Sequence, residues 1–160
     1  MINEKGFYGF VLEFKPGLTV KEMLFKGNHE FSNKEIFNVG LKLICIIKYL
    51  HENEVVHRDI RIPNVIIDKE EVYLIDFGLA RWSDNHYPCN LNFSYFGDFL
   101  LYLLYSSFQI EKAHKKLPWY EELSLTLEQK VLLKRLFGIE GTYDTIAELQ
   151  RDFINYFKFD

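Results

Sequence analysis

The sequence predicts an α+β fold, mostly α, and three observations predict it. A single aromatic and β-branched run, Gly6 to Phe14, stands near the start. A second region, Glu54 to Ile75, alternates short β-rich runs (Val55-Val56, Val65 to Ile67, Val72 to Ile75) with charged turns. From Phe96 onward the apolar residues recur at helical spacing. The expected order is therefore one strand, two helices, a region of small hairpins, then only helices.

Each element has a local reason. Lys15-Pro16-Gly17 ends the first strand with turn chemistry. Thr19 and Glu22 form a capping-box pair that opens a short helix, and Gly27-Asn28 stops it. Ser32 and Glu35 repeat the device for a longer helix, whose Ile36, Phe37, Leu43, Ile44, Ile47 and Leu50 give a broad buried face. Gly97 to Phe108 is nearly all apolar and predicts a helix buried on most sides. Thr126 to Gln129 starts another, and Thr145 to Glu148 starts the last, in which Ile146, Leu149, Phe153, Tyr156 and Phe157 share a face. Trp82, Trp119 and the aromatic tail are expected in the core.

Composition narrows the function. A net charge of −4 with no basic block argues against nucleic-acid binding. The first residues lack a signal peptide's basic-then-apolar pattern, and residues 41–50 and 99–105 are too short to span a bilayer, so no membrane and a cytoplasmic location are expected. Cys45, inside an apolar run, reads as a buried thiol; it and Cys89 make no zinc or disulfide pattern.

The chemistry sits in Val56 to Asn64 and Ile75 to Gly78. Asp59, Asn64 and Asp76 carry oxygen at the ends of short strands, and a hairpin between them would converge them on one point. Hard oxygen donors without sulfur suit Mg²⁺ shared with phosphate and water. Arg61, two residues past Asp59, places positive charge where transferred phosphoryl oxygens need it.

His57-Arg58-Asp59, with Asn64 five residues past the aspartate, resembles the catalytic loop of protein kinases, and Asp76-Phe77-Gly78 resembles that family's metal-binding triplet. The two aspartates lie seventeen residues apart, close to the family's interval. Val11 to Gly17 resembles the hinge, and Gly97-Asp98 the start of the central helix whose Asp holds the catalytic loop by its backbone. The resemblance implies a C-terminal lobe from the hinge onward: residues 1–17 as the last N-lobe strand and hinge, residues 18–160 as the C-lobe. It implies ATP and Mg²⁺. Asp59 would be the base, with Asn64 and Asp76 on the metal. Leu12 (the gatekeeper), Glu13, Lys15 and Ile66 would surround adenine. Arg61 stands where serine/threonine kinases usually carry Lys. Arg58 would ordinarily receive a phosphate from the segment after the triplet, where Ser83, Tyr87, Ser94 and Tyr95 offer hydroxyls.

Other features depart from that pattern. No complete glycine-rich loop and no ATP-positioning Lys precede the hinge; Gly6 to Gly9 and Lys5 are poor substitutes. Residues 76–98 are short and lack Ala-Pro-Glu, as in compact bacterial or atypical kinases. The readings are therefore a serine/threonine protein kinase impaired as an isolated chain, a pseudokinase scaffold acting through a partner chain or dimer over the exposed cleft, and a small-molecule kinase.

Overall fold

The computed structural model describes the backbone of residues 2–4 and 7–9, and residues 12–108 and 117–158 in full. Two short strands, β1 (Ile2–Glu4) and β2 (Phe7–Gly9), pair antiparallel. Leu12 to Phe14, expected to continue a strand, has no strand structure, and Leu12 and Phe14 are largely exposed. A strand needs a neighbour for its N–H and C=O groups, whatever its propensity. Gly6, Phe10, Val11 and Lys5 lie outside the described residues.

Gly17 turns the chain with φ +104° into β3 (Leu18–Thr19). A Cβ there would stand 2.3 Å from the Ile67 carbonyl oxygen, so only glycine fits. Helix α1 (Val20–Phe25) begins with the expected box: the Glu22 N–H donates to Thr19 Oγ1 at 3.1 Å, and Thr19 N–H to Glu22 Oε2 at 3.2 Å. Helix α2 (Asn33–Glu52) opens with the equivalent pair at Ser32 and Glu35. Its Ile36, Val39, Leu43, Ile44, Ile47 and Leu50 are buried. Cys45 is exposed, contrary to expectation, because one residue past Ile44 rotates about 100° away from that face.

The polar side of the molecule is built from small sheets. Strand β4 (Val55–Val56) pairs with β7 (Arg81–Trp82), and β5 (Val65–Asp68) lies between β3 and β6 (Glu71–Leu74). The β5–β6 hairpin sets Val65 opposite Leu74 and Ile66 opposite Tyr73. A 3₁₀ turn, Phe77–Leu79, follows. Trp82 is 73% exposed: it sits on a two-residue strand pair that has no layer over it, so the core expectation fails.

The rest is helical: α3 (Leu91–Tyr105), the single turn α4 (Trp119–Glu122), α5 (Leu127–Leu136) and α6 (Ile146–Phe157). The core lies where α2, α3, α5 and α6 meet. Phe153 is its keystone, fully buried, stacked 4.8 Å from Phe157 and 5.9 Å from Phe37, and edge-on to Phe96. Gly40 of α2 lets that ring approach; a Cβ would meet it at 2.4 Å. Burial of such a side chain contributes about 1.5–3 kcal/mol. No described helix is long and apolar enough to cross a membrane.

Candidate active site

Val56 leads from β4 into the loop His57 to Asn64, and alternation fixes the loop's two sides. Ile60 and Ile62 are buried in the core, so Arg61 between them is exposed. The Lys21 N–H donates to the Ile62 carbonyl at 3.0 Å, tying the start of α1 to the loop. The Asn64 N–H closes a turn on the Arg61 carbonyl at 2.8 Å, and the chain then enters β5.

Asp59 is almost fully buried and accepts on both carboxylate oxygens. Arg61 Nη2 donates to its Oδ2 at 2.8 Å, Arg61 Nε pairs with its Oδ1, and Asn64 Nδ2 donates to its Oδ2 at 2.6 Å and to its carbonyl at 3.0 Å. The bond from Arg61 holds the carboxyl below the usual carboxylate range, against the burial that pushes it up, and Asn64 adds to the lowering. The side chain is thus an ionised acceptor at neutral pH.

Across the hairpin, the Ile75 N–H donates to the Asn64 carbonyl at 2.9 Å, which brings the next residue, Asp76, to the catalytic-loop side. Asp76 is exposed with φ +62°, a left-handed backbone that a non-glycine residue adopts at a cost, and its Oδ1 accepts from the Gly78 N–H at 3.2 Å. The buried His57 joins the two loops. Its Nδ1 accepts from the Asp59 N–H at 3.3 Å, and its ring lies 4.6 Å from the Phe77 ring, edge-on. Burial pushes its pKa below 6.5; the Ile75 carbonyl and the charges of Asp59 and Asp76 oppose that.

The donor set suits a hard cation. Asn64 spends its Nδ2 on Asp59, leaving Oδ1 as an oxygen donor, and Asp76 offers a solvent-facing carboxylate. Among the described residues no group of three or more His, Cys, Asp or Glu could hold a metal by itself. One amide and one carboxylate are what Mg²⁺ takes when phosphate and water complete its shell.

The remaining expected residues fall into two places. Ile66 lies on β5, opposite Thr19 and Tyr73. Leu12, Glu13 and Lys15 form a separate stretch before β3, where Lys15 pairs with Glu13 at 2.7 Å and lies 5.1 Å from the Tyr73 ring centre.

One positioning residue was misassigned from sequence. The central helix opens at Leu91, not Gly97, and Asp98 lies inside it with an exposed side chain. The group that reaches the catalytic loop is Asn92, fully buried, whose Oδ1 accepts from the His57 N–H at 3.1 Å. The available signal was an amide one turn ahead of an apolar run, on the face shared with Phe93, Phe96 and Phe99. Arg58, with φ +68°, donates Nη1 to the Leu79 carbonyl at 3.3 Å and lies over the Tyr87 ring, 4.1 Å from its centre.

The sequence is similar to those of known proteins. Residues 1–97 match the protein kinase domain family. The chain is 38% identical over 149 residues to a probable serine/threonine-protein kinase, YbdM, of Bacillus subtilis, covering 89% of this chain and 58% of that protein. It is 35% identical over 79 residues to the serine/threonine-protein kinase PrkC of the same organism, covering 49% of this chain and 12% of that one. Serine/threonine-protein kinase STY46 of Arabidopsis thaliana is 38% identical over 72 residues, 44% of this chain and 12% of that protein. The chain thus spans little more than half of YbdM and a small part of the other two. With its family's domain matched over more than half of its length, the chain belongs to the protein kinase family.

Proposed function

We propose that the chain is the catalytic lobe of a serine/threonine protein kinase, moving the γ-phosphoryl group of ATP to a protein hydroxyl. The observation that carries this reading is the Asn64 amide bonded to the Asp59 carboxylate, with Asp76 following the residue that pairs with Asn64 across the hairpin. Asp59 orients the acceptor hydroxyl and takes its proton as the oxygen attacks the γ-phosphorus and the bond to the ADP oxygen breaks. Asn64 and Asp76 would hold Mg²⁺, which when bound would neutralise phosphate charge. Arg61 supplies fixed charge beside Asp59, with a planar fork in place of an ammonium. Leu12, Glu13, Lys15 and Ile66 make the adenine end of the site. Residues 1–17 serve as strand and hinge and 18–160 as the C-lobe, in a cytoplasmic protein. Relatives that are named serine/threonine kinases support the choice of acceptor.

A second reading rests on a specific surface. Leu12, Phe14, Phe77, Leu79 and Trp82 are each at least 49% exposed, apolar area of the kind that partner chains or dimer mates cover. Under that reading the chain is a scaffold that binds without turnover.

Thermal stability separates the two. A rise in melting temperature with Mg²⁺ and ATP over Mg²⁺ alone, lost in Asp76→Ala, supports nucleotide binding at this site. No rise at millimolar ATP favours the scaffold. Phosphate transfer to a generic protein substrate that disappears in Asp59→Asn then establishes catalysis.

A further inference from the structure

We propose that Tyr87 is a positioning residue: its ring, under the Arg58 guanidinium, fastens the segment after the metal triplet to the catalytic loop without a second charged group. The inference rests on the kinase reading for its functional meaning, not for its geometry.

Arg58 immediately precedes Asp59 and has φ +68°, a backbone conformation that persists only where surrounding contacts hold it. Its side chain supplies two such contacts, the Leu79 carbonyl at 3.3 Å and the face of Tyr87 at 4.1 Å. Both partners are uncharged. A planar, weakly hydrated guanidinium suits a π face and a carbonyl together, which an ammonium on a flexible stem does not.

The segment carrying Tyr87 is itself braced. Asp84 Oδ1 accepts from the N–H groups of His86 and Tyr87, each at 2.7 Å, and the Asp84 N–H donates to the Tyr87 carbonyl at 3.2 Å. The Ser83 N–H donates to the Glu54 carbonyl at 2.6 Å, continuing the β4–β7 pairing of Val55 with Trp82. Residues 83–87 are therefore a preformed turn whose one half-buried aromatic side chain is delivered onto Arg58. Loss of that ring frees the guanidinium on one side and removes a restraint on the strained residue next to the base. The fastening needs no phosphate on Ser83, Tyr87, Ser94 or Tyr95.

Hydrogen–deuterium exchange on the full chain tests this. In Tyr87→Ala, amide exchange across residues 77–90 and 57–60 is expected to accelerate roughly 2- to 30-fold, the range a cation–π contact commands. Amides of α6 keep their wild-type rates. Tyr87→Phe keeps the π face and is expected to match wild type, and Arg58→Ala combined with Tyr87→Ala is expected to be no faster than Arg58→Ala alone, which already loses both contacts. Unchanged exchange in Tyr87→Ala, a Tyr87→Phe as fast as the alanine variant, or additive single-variant effects would each overturn the proposal. Should the alanine variant fail to fold, Tyr87→Leu fills the volume without the π face and is read in the same way. In transfer assays kcat falls in Tyr87→Ala while KM for ATP holds, and Tyr87→Phe restores it. A wild-type chain with no nucleotide response sinks the kinase reading, and the exchange data still decide the clamp.

Discussion

The rim of the molecule and its helical base spend conformational energy in opposite ways. Between Glu54 and Asp76, four non-glycine residues have positive φ: Glu54, Arg58, Lys69 and Asp76. From Leu91 to Phe157 the described residues with positive φ are two glycines, Gly138 and Gly141. The rim holds its buried polar groups, His57, Asp59 and Asn64, through hydrogen bonds among them. The base buries large aromatic and aliphatic side chains at essentially no exposure, among them Phe96, Phe99, Leu132 and Phe153. Strain is tolerated beside the candidate chemistry because the base beneath it is unstrained and well packed. Perturbing the base should therefore cost stability, and perturbing the rim should cost ligand response.

The largest expected stability loss is at Phe153. Phe153→Ala empties the space between α2, α3 and α6 and should destabilise by about 3–5 kcal/mol. Urea unfolding measures it. Well below the variant's lowered melting temperature, its Mg²⁺–ATP response should persist. A loss below about 1 kcal/mol would mean that the base is not the stabilising half.

Asn92 lies at the seam between the two regions. Its Oδ1 accepts from the His57 N–H while its Nδ2, also buried, has no hydrogen-bond partner among the described residues. Asn92→Ala removes the acceptor and leaves a buried N–H unpaired, a cost of about 1–3 kcal/mol. Asn92→Asp keeps an acceptor and removes the orphan donor, and although its buried carboxylate costs stability it should keep the nucleotide response nearer to wild type. Both are read in the same unfolding experiment, and the alanine variant should also weaken the nucleotide-dependent thermal shift. If alanine and aspartate behave alike, the bond to His57 does not hold the loop.

How much of this was legible in the sequence follows from the range of each interaction. The boxes at Thr19, Ser32 and Thr126 were readable because the partner stands three residues away. The start of α3 was not, since Asn90 makes no side-chain cap bond and leaves no local signature. Asp59, Asn64 and Asp76 were readable as a pattern, but the fork from Arg61 that engages the Asp59 carboxylate is geometry. Asn92 acts on a residue 35 positions away, and Arg58 meets Tyr87 across a turn that nothing adjacent in the sequence announces. Leu12 to Phe14 carried the propensity of a strand without a partner strand, and propensity alone did not make one.

Asp76→Gly separates stability from ligand response and so tests the comparison directly. Glycine adopts φ +62° without the penalty an aspartate bears there, although the bond to the Gly78 N–H is lost. The ligand-free variant should stay within about 1 kcal/mol of wild type, the relief of strain offsetting the lost bond and the freer unfolded chain. Its Mg²⁺-dependent response to ATP should vanish. A variant that is both less stable and still responsive would show that the strain at Asp76 is unrelated to ligand binding.

The smallest expected effect is a pH dependence, and its sign is fixed by burial. His51, at the end of α2, lies against Phe93 with ring centroids 5.3 Å apart, and burial pulls its pKa below 6.5, partly opposed by the Cys89 carbonyl. His57 shifts in the same direction for the same reason. For a histidine with a lower pKa when folded, the unfolded chain binds more protons as pH falls below 6.5. That contribution is fully present above the unfolded value and is lost as pH falls through the window down to the folded value. The depressed carboxylates, Asp59 and Glu148 among them, titrate below this window, and Asp98, which burial raises, acts in the opposite sense. Melting temperature should therefore fall between pH 7 and pH 5, and His51→Gln should flatten part of that slope, leaving the part due to His57. Because both rings flank the loop that precedes Asp59, exchange at residues 57–60 should accelerate with acid before exchange in α6 does. Parallel stability curves for wild type and His51→Gln, or acid loosening that begins in α6, would break the division between rim and base.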